Sequence, residues 1–427
     1  MMHSKRLQVL LSAILLALAP KLQVTHAIAA LPSCQAIAPS QHNLTDVRTA
    51  ATALPDGNLP FGIVYSTRQR HTAFVALNDS LGVLDTSTFA PTLRDQIPFP
   101  SSALGPLDAV GGVGGTGIAL THDGRYVLVT AFSAALIVVD AARAGGGRSS
   151  EAIVAVLRGD ASAGDTAIEV TVSPDNRYAF VSQEHGIETV TKDANGTIRT
   201  HSQRGRIETF ALHLPDHGCE ETQQFRGESL GYQELGYAVV GTQLSPDGQL
   251  LYVTSEQQAL NNTHGFVSVL ATERLMKNSS DAELARVAAG CEPVRALLSP
   301  DAKQLWVTAR SSNSLIAFDT SRLISDGNGS AIATVQVGTQ PVGLAFVKNY
   351  SRIVVADSDR SNNAQAHPAL SVVDVKAALR GAKDSNLGEI AAGAFPRELA
   401  VSPDGRTLLV SEYAAGRIRA VDVETLP

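Results

Sequence analysis

The feature that most constrains this chain is a unit of about 50 residues that recurs along almost its whole length. Its clearest copy begins at Gly241, where GTQLSPDGQLLYVTSE is followed by a polar loop and then GFVSVL, ending at Leu270. A short apolar run at 242–244 meets a Pro-Asp-Gly turn (Pro246, Asp247, Gly248), a β-rich run follows at 250–254, and a third strand is expected at 266–270. One such sheet cannot bury both of its faces, so it requires neighbours of the same kind.

The chain supplies them. Aligned on the turn residue, the copies centre on Gln69, Asp123, Asp175, Asp247, Asp301, Asn349 and Asp404. They recur at intervals of about 50 residues, with one of about 70 that carries insertions around 193–203 and 216–236. Weaker apolar runs in the connectors, IVAVL at 153–157 and ATVQV at 333–337, provide a fourth strand. Four antiparallel strands repeated seven times predict an all-β, seven-bladed β-propeller. A solenoid is the rival, but its terminal repeats would be atypical caps, whereas the last unit here is among the best copies. That last unit lacks a fourth strand after Val423, and 43–52 is unclaimed, so the N-terminal segment is expected to close the ring on the seventh blade and remove an open edge. Helical patterning is confined to 272–287 and 375–383, both expected as connectors. The glycine-rich stretches 110–117 and 144–147 lack the context of a phosphate or dinucleotide loop and are expected as flexible connectors.

Ahead of the repeats, Lys5 and Arg6 precede an apolar core at 7–19, too short to span a bilayer comfortably, followed by small residues. This predicts a secretory signal peptide over 1–30, cleaved after Ala27 or Ala30, and a single propeller domain over 31–427. A secreted glycoprotein fits the Asn-x-Ser/Thr acceptors at Asn43, Asn78, Asn195, Asn261, Asn278, Asn328 and Asn349. Three cysteines in an oxidising compartment allow one disulfide, for which Cys219 with Cys291 is expected, buried thiols being the alternative; they are too few and scattered for a zinc site. A net charge of −7 with no long basic run gives no footprint for nucleic acid or an anionic membrane. No later apolar run is long enough for a membrane span, and a monomer is expected.

The repeated SPDG-LLYVTSE, SPDNRYAFVSQE and SPDGRTLLVSEY resemble the propeller proteins of the YVTN and lactonase-like superfamily. The resemblance covers all seven units. It implies the architecture, and a range of functions that includes lactonase-like hydrolases, carboxymuconate cyclases and surface-binding proteins; the motif carries the fold rather than the chemistry.

The chemistry is sought where the repeat is broken. A glycine six residues before the turn residue, as at Gly117, Gly241 and Gly343, lets backbones crowd near the axis. Three units carry charge there instead: Glu169, Arg295 and Glu398, with Arg397 beside the last. Such charges are costly unless paired or hydrated. They are expected either as a ligand-polarising cluster at one mouth of the channel or as an ion-pair network joining blades. The loops after each second strand should open on that face and present Asn78, Phe132, Glu184, His185, Glu256, Arg310, Asp357, Asp359, Glu412 and Tyr413, either as ligand contacts or as a solvated rim. His185 is the lone acid/base candidate on titration range. The pair Asp357 and Asp359 falls short of a calcium loop, and no serine elbow, zinc-hydrolase or Cys/His motif occurs, so no metal or cofactor is expected. The function expected is binding, with processing, of a small cyclic organic molecule by lactonase-like hydrolysis or cofactor-free ring closure, with Glu169, Arg295, Glu398 and His185 as the catalytic candidates. The alternative is a non-catalytic extracellular binding protein for a glycan, lipid or protein.

Overall fold

The computed structural model describes residues 31, 33–34, 42–55, 57–103, 114–131, 135–159, 166–185, 189–192, 198–201, 204–219, 223–260, 262–278, 280–360 and 367–427. The expected signal peptide, the acceptors Asn195 and Asn261, and Phe132 lie outside them.

In five of the seven units the turn between the first and second strands is closed by local bonds. In the fourth, Ser245 Oγ donates to Asp247 Oδ1 at 2.5 Å, Asp247 Oδ1 also accepts from the Gln249 amide at 3.1 Å, and the Leu250 amide donates to Ser245 Oγ at 2.9 Å. The same set recurs around Thr121 and Asp123, Ser173 and Asp175, Ser299 and Asp301, and Ser402 and Asp404. The side-chain bond from Ser245 holds the Asp247 carboxyl below its ordinary range, and that from Ser402 does the same for Asp404. Serine and aspartate thus fix the first hairpin of the sheet through bonds within five residues.

Seven four-stranded antiparallel sheets result. The second strands, such as Tyr126–Ala131 and Leu250–Gln257, are buried almost throughout, because each blade has a neighbour on both faces. Alternate side chains divide between those neighbours: Val127 and Val129 pack toward the first blade, Tyr126 and Leu128 toward the third. Seven apolar clusters form in this way, one between each successive pair of blades, and contacts between the innermost strands run unbroken round the ring.

The ring closes as expected. The N-terminal strand Thr49–Ala53 pairs with Arg417–Asp422 and becomes the outer strand of the seventh blade. Four corrections concern the rest of the chain. The disulfide joins Cys34 to Cys291, across 257 residues, not Cys219 to Cys291; Cys219 stands half-buried outside the bridge. The segment expected as an insertion at 216–236 holds the fourth strand of the third blade, Arg226–Glu234. The helical pattern at 272–287 is a single turn, Thr272–Met276, after which Glu283–Cys291 is strand; that at 375–383 is the short helix Val375–Leu379. Of the glycine-rich connectors, Gly115–Leu120 is an innermost strand and Ala141–Gly145 a short helix. No helix among the described residues is long and apolar enough to cross a membrane.

Candidate functional site

The innermost strands carry a β-bulge at the position where glycine and charge alternate. Register shifts fall between Val239 and Gly241, Pro293 and Ala296, and Pro396 and Leu399. A hydroxyl from the second strand holds each bulge. The Gly241 amide donates to Thr254 Oγ1 at 2.8 Å, and that hydroxyl donates to Val294 O of the next blade at 2.7 Å. Thr308 holds Arg295 and Ser182 holds Glu169 in the same manner, whereas Ser411 accepts the Glu398 amide and donates back to Glu398 O within its own blade. The threonine or serine of each YVTS-like run is therefore the clamp that sets the axial residue.

The glycines are required by approach, not only by the bulge. A Cβ on Gly117 would stand 2.7 Å from the Glu169 Cα, and one on Gly343 would stand 2.1 Å from Arg397 O. From the second blade to the seventh, glycine (Gly117, Gly241, Gly343) alternates with Glu169, Arg295 and Glu398, so each charged side chain follows a neighbour with none.

The three charges meet. Arg295 donates to Glu398 Oε1 from Nε at 3.1 Å and from Nη2 at 2.7 Å, and its Nη1 reaches Val240 O at 3.4 Å. Glu169 Oε1 lies 3.8 Å from Arg295 Nε, and its Oε2 accepts the Thr242 amide at 2.7 Å. Burial opposes the charge on Arg295, but Glu398 and Glu169 outweigh it and raise the guanidinium pKa. Burial pushes the Glu169 carboxyl up to about 7, with Arg295 pulling it down and Glu398 adding to the rise. The side chain of Glu169 keeps 25% exposure and faces a cavity of about 200 Å³ shared with Arg295 and Glu398 and lined on the turn side by Ile118, Thr242, Gln243 and Leu344.

The trio is not at the loop-side mouth, where it was expected. One residue earlier in each strand, Ile168, Val240, Val294 and Val342 pack with Phe395 into one buried apolar cluster, a collar contributed by four successive blades. The charged trio lies on the turn side of this collar and the loop-side groups on the other.

On the loop side, Arg310 Nη2 bonds Glu256 at 2.7 Å and Glu292 at 3.0 Å. Burial pushes Glu256 up to about 7, against the pull of Arg310 and with the push of Glu184. Arg397 lies half-buried with its guanidinium 3.5 Å over the Phe61 ring and 5.2 Å from that of Phe395, while Tyr413 sets its ring edge-on to both phenylalanines. Arg397 Nε meets no hydrogen-bond partner among the described residues. Burial first, and Arg295 next, bring its pKa down to about 9. His185 is hydrogen-bonded through its amide to Thr166 and sets Nε2 3.6 Å from Glu184. Thr166 is three residues above Glu169, about 10 Å at the rise of a strand, which separates His185 from the trio.

Four expected rim residues are held in bonds to their own surroundings. Glu412 is fully buried in the seventh blade between Arg417, Arg419 and the Gly393 amide. Asp357 is sealed in the sixth, accepting both the hydroxyl and the amide of Ser371, and burial raises its pKa well above the ordinary value. Asp359 is also buried, with Oδ2 accepting the His367 amide. Asn78 is occupied too, its amide bonding Gly57 O and the Leu59 N–H. Phe61 and Glu292 were not singled out from the sequence. Glu292 adjoins Cys291 and precedes a proline, and it stands at φ +51°, a left-handed conformation repeated at Ala238, Gln340 and Phe395, each three residues before an axial position.

The fold and this channel define a seven-bladed β-propeller with a charged trio at its axis. No protein-family model matches the chain, and no curated protein matches it in sequence. Among solved structures it is similar to hydrazine synthase of Kuenenia stuttgartiensis, with a TM-score of 0.58 and 15% identity over 87% of this chain and 97% of that one. At that identity the likeness is one of fold.

Proposed function

We propose that this chain is a secreted propeller of the YVTN and lactonase-like kind that binds a small cyclic organic molecule in the axial cavity and opens it by hydrolysis. The carrying observation is that Glu169, with a carboxyl titrating at about 7, faces the same cavity as the cation Arg295, itself fixed by Glu398. A carboxylate of that pKa is a general base at neutral pH, and a fixed guanidinium polarises a carbonyl and stabilises the oxyanion that forms. In a lactone, water adds to the carbonyl carbon while Glu169 takes its proton; the ring C–O bond then breaks and the proton passes to the leaving oxygen, giving a hydroxy acid. The small volume confines the substrate to a compact ring.

The test is hydrolysis of a panel of γ- and δ-lactones. Turnover should rise with pH through about 7, and Glu169→Gln should lose about 10²-fold or more. Equal turnover in Glu169→Gln would remove this reading.

A second reading, non-catalytic binding at the loop side, is favoured by Arg397 on Phe61 beside Tyr413, a cationic and aromatic patch suited to a planar anionic ligand. It predicts ligand binding that Arg397→Ala abolishes and Glu169→Gln spares.

A further inference from the structure

The disulfide that ties the N-terminal segment to the fourth blade has two unequal sulfurs. Cys291, at the end of the strand Glu283–Cys291, is fully buried, whereas Cys34 is half-buried. Opposite Cys291 in register stands His264, the exposed first residue of the strand His264–Ala271. Its Nε2 lies 3.5 Å from the Cys34 sulfur. Its Nδ1 lies 3.2 Å from Asn262 Oδ1, which also accepts the His264 amide at 2.9 Å. An amide oxygen only accepts, so the proton sits on Nδ1 and the lone pair of Nε2 faces sulfur. A bridge that served only as a staple would need neither the oriented imidazole nor the residue that orients it.

The geometry points to a thiol–disulfide exchange centre that reacts with small thiols at Cys34, with His264 as proton acceptor, Asn262 as its positioning residue and Cys291 as the buried leaving sulfur. An incoming thiol gives its proton to His264 Nε2 and its sulfur attacks Cys34 Sγ. The bond to Cys291 breaks, its electron pair leaves with the Cys291 sulfur, and that thiolate takes the proton. A second thiol attacks the outer sulfur of the mixed disulfide and releases the Cys34 thiol, so two small thiols are oxidised to one disulfide as the protein bridge is reduced. In the reduced protein the imidazole next to Cys34 favours the thiolate, as a neighbouring histidine does for reactive cysteines.

The native, oxidised full-length protein is incubated with glutathione and a chelator, the latter because the ligand atoms of Cys34, His264 and Cys291 lie within 4.8 Å of one another. Acid-quenched peptides are then read by mass spectrometry. Glutathione should appear on Cys34, with Cys291 released as a thiol, without denaturant. The pH profile of iodoacetamide alkylation of Cys34 in the reduced protein should have its midpoint at least about one unit below the ordinary 8.5. His264→Gln should return the midpoint to that value and slow alkylation at pH 7 about tenfold. Adduct formation only after denaturation, glutathione on Cys291 in place of Cys34, or an unchanged profile in His264→Gln would each overturn the assignment.

Discussion

Arg295 and Glu398 lie 103 residues apart, on the innermost strands of the fifth and seventh blades, yet two guanidinium nitrogens of the first share one carboxylate oxygen of the second. The pair passes the intervening blade at Gly343, where no side chain stands in the way. Removing Arg295 takes the guanidinium partner from both Glu398 and Glu169. Arg295→Ala is therefore expected to lower stability by about 3 kcal/mol, while the double replacement Arg295→Met, Glu398→Leu recovers a good part of the loss. Guanidinium unfolding decides it: a double variant no more stable than the single one contradicts this view of the pair.

Glu169 and Glu256 each titrate at about 7 in the folded protein, above their ordinary 4.5, mainly because burial disfavours the charge. A raised carboxyl pKa contributes stability that is fully present below the ordinary value and is lost as pH rises through the folded value. The turn aspartates Asp247 and Asp404 act in the opposite sense, since their lowered pKa values contribute stability above the ordinary 3.8 that is lost as pH falls. The melting temperature is expected to be highest near pH 4 to 5 and to decline toward pH 7.5, roughly the interval these values bracket. In Glu256→Gln the decline should be shallower; a slope identical to that of the unsubstituted protein would refute the attribution.

Two glycines should respond differently to alanine. At Gly343 a Cβ would press on Arg397 O at 2.1 Å and Leu399 Cδ1 at 2.8 Å, so the next blade must move. A cost of about 3 kcal/mol is expected. At Gly405 the space is open and only φ +73° resists, which is about 1 to 2 kcal/mol. The order of the two unfolding midpoints tests the crowding of the axis.

Deleting residues 1–53 strips the outer strand from the seventh blade and exposes the edge of Arg417–Asp422. Loss of a single cooperative transition and the appearance of aggregates on gel filtration are expected. A variant that elutes and melts as before would show that ring closure contributes little.

On the proposed secretory route, glycans are expected on some acceptors only. Asn43, Asn278, Asn328 and Asn349 are exposed, whereas the Asn78 amide nitrogen donates to Gly57 O at 2.8 Å. Glycopeptide mapping is expected to find Asn78 bare, and a glycan there would mean that these bonds are dispensable.

The blades were legible in the sequence because what makes them is local. Ser245, Asp247 and the Leu250 amide close their bonds within five residues, and alternation along Tyr126–Ala131 needs only the pleat of one strand. Closure by the N-terminal segment could be inferred as well, since a seventh blade without an outer strand leaves an open edge. The charged exceptions Glu169, Arg295 and Glu398 were visible as breaks in a glycine rule. What they do to one another was decided by the ring, which brings together residues more than a hundred positions apart and places the collar of Ile168, Val240, Val294 and Val342 between them and the loops. The same holds for Glu412 and Asp357, whose loop-end positions suggested a rim until their partners Arg419 and Ser371 enclosed them, and for Cys34, whose partner 257 residues away no spacing specifies. Periodicity and turn chemistry act over a few residues and so determine the elements. Pairing across the axis depends on which blades stand opposite, and only the closed ring sets that.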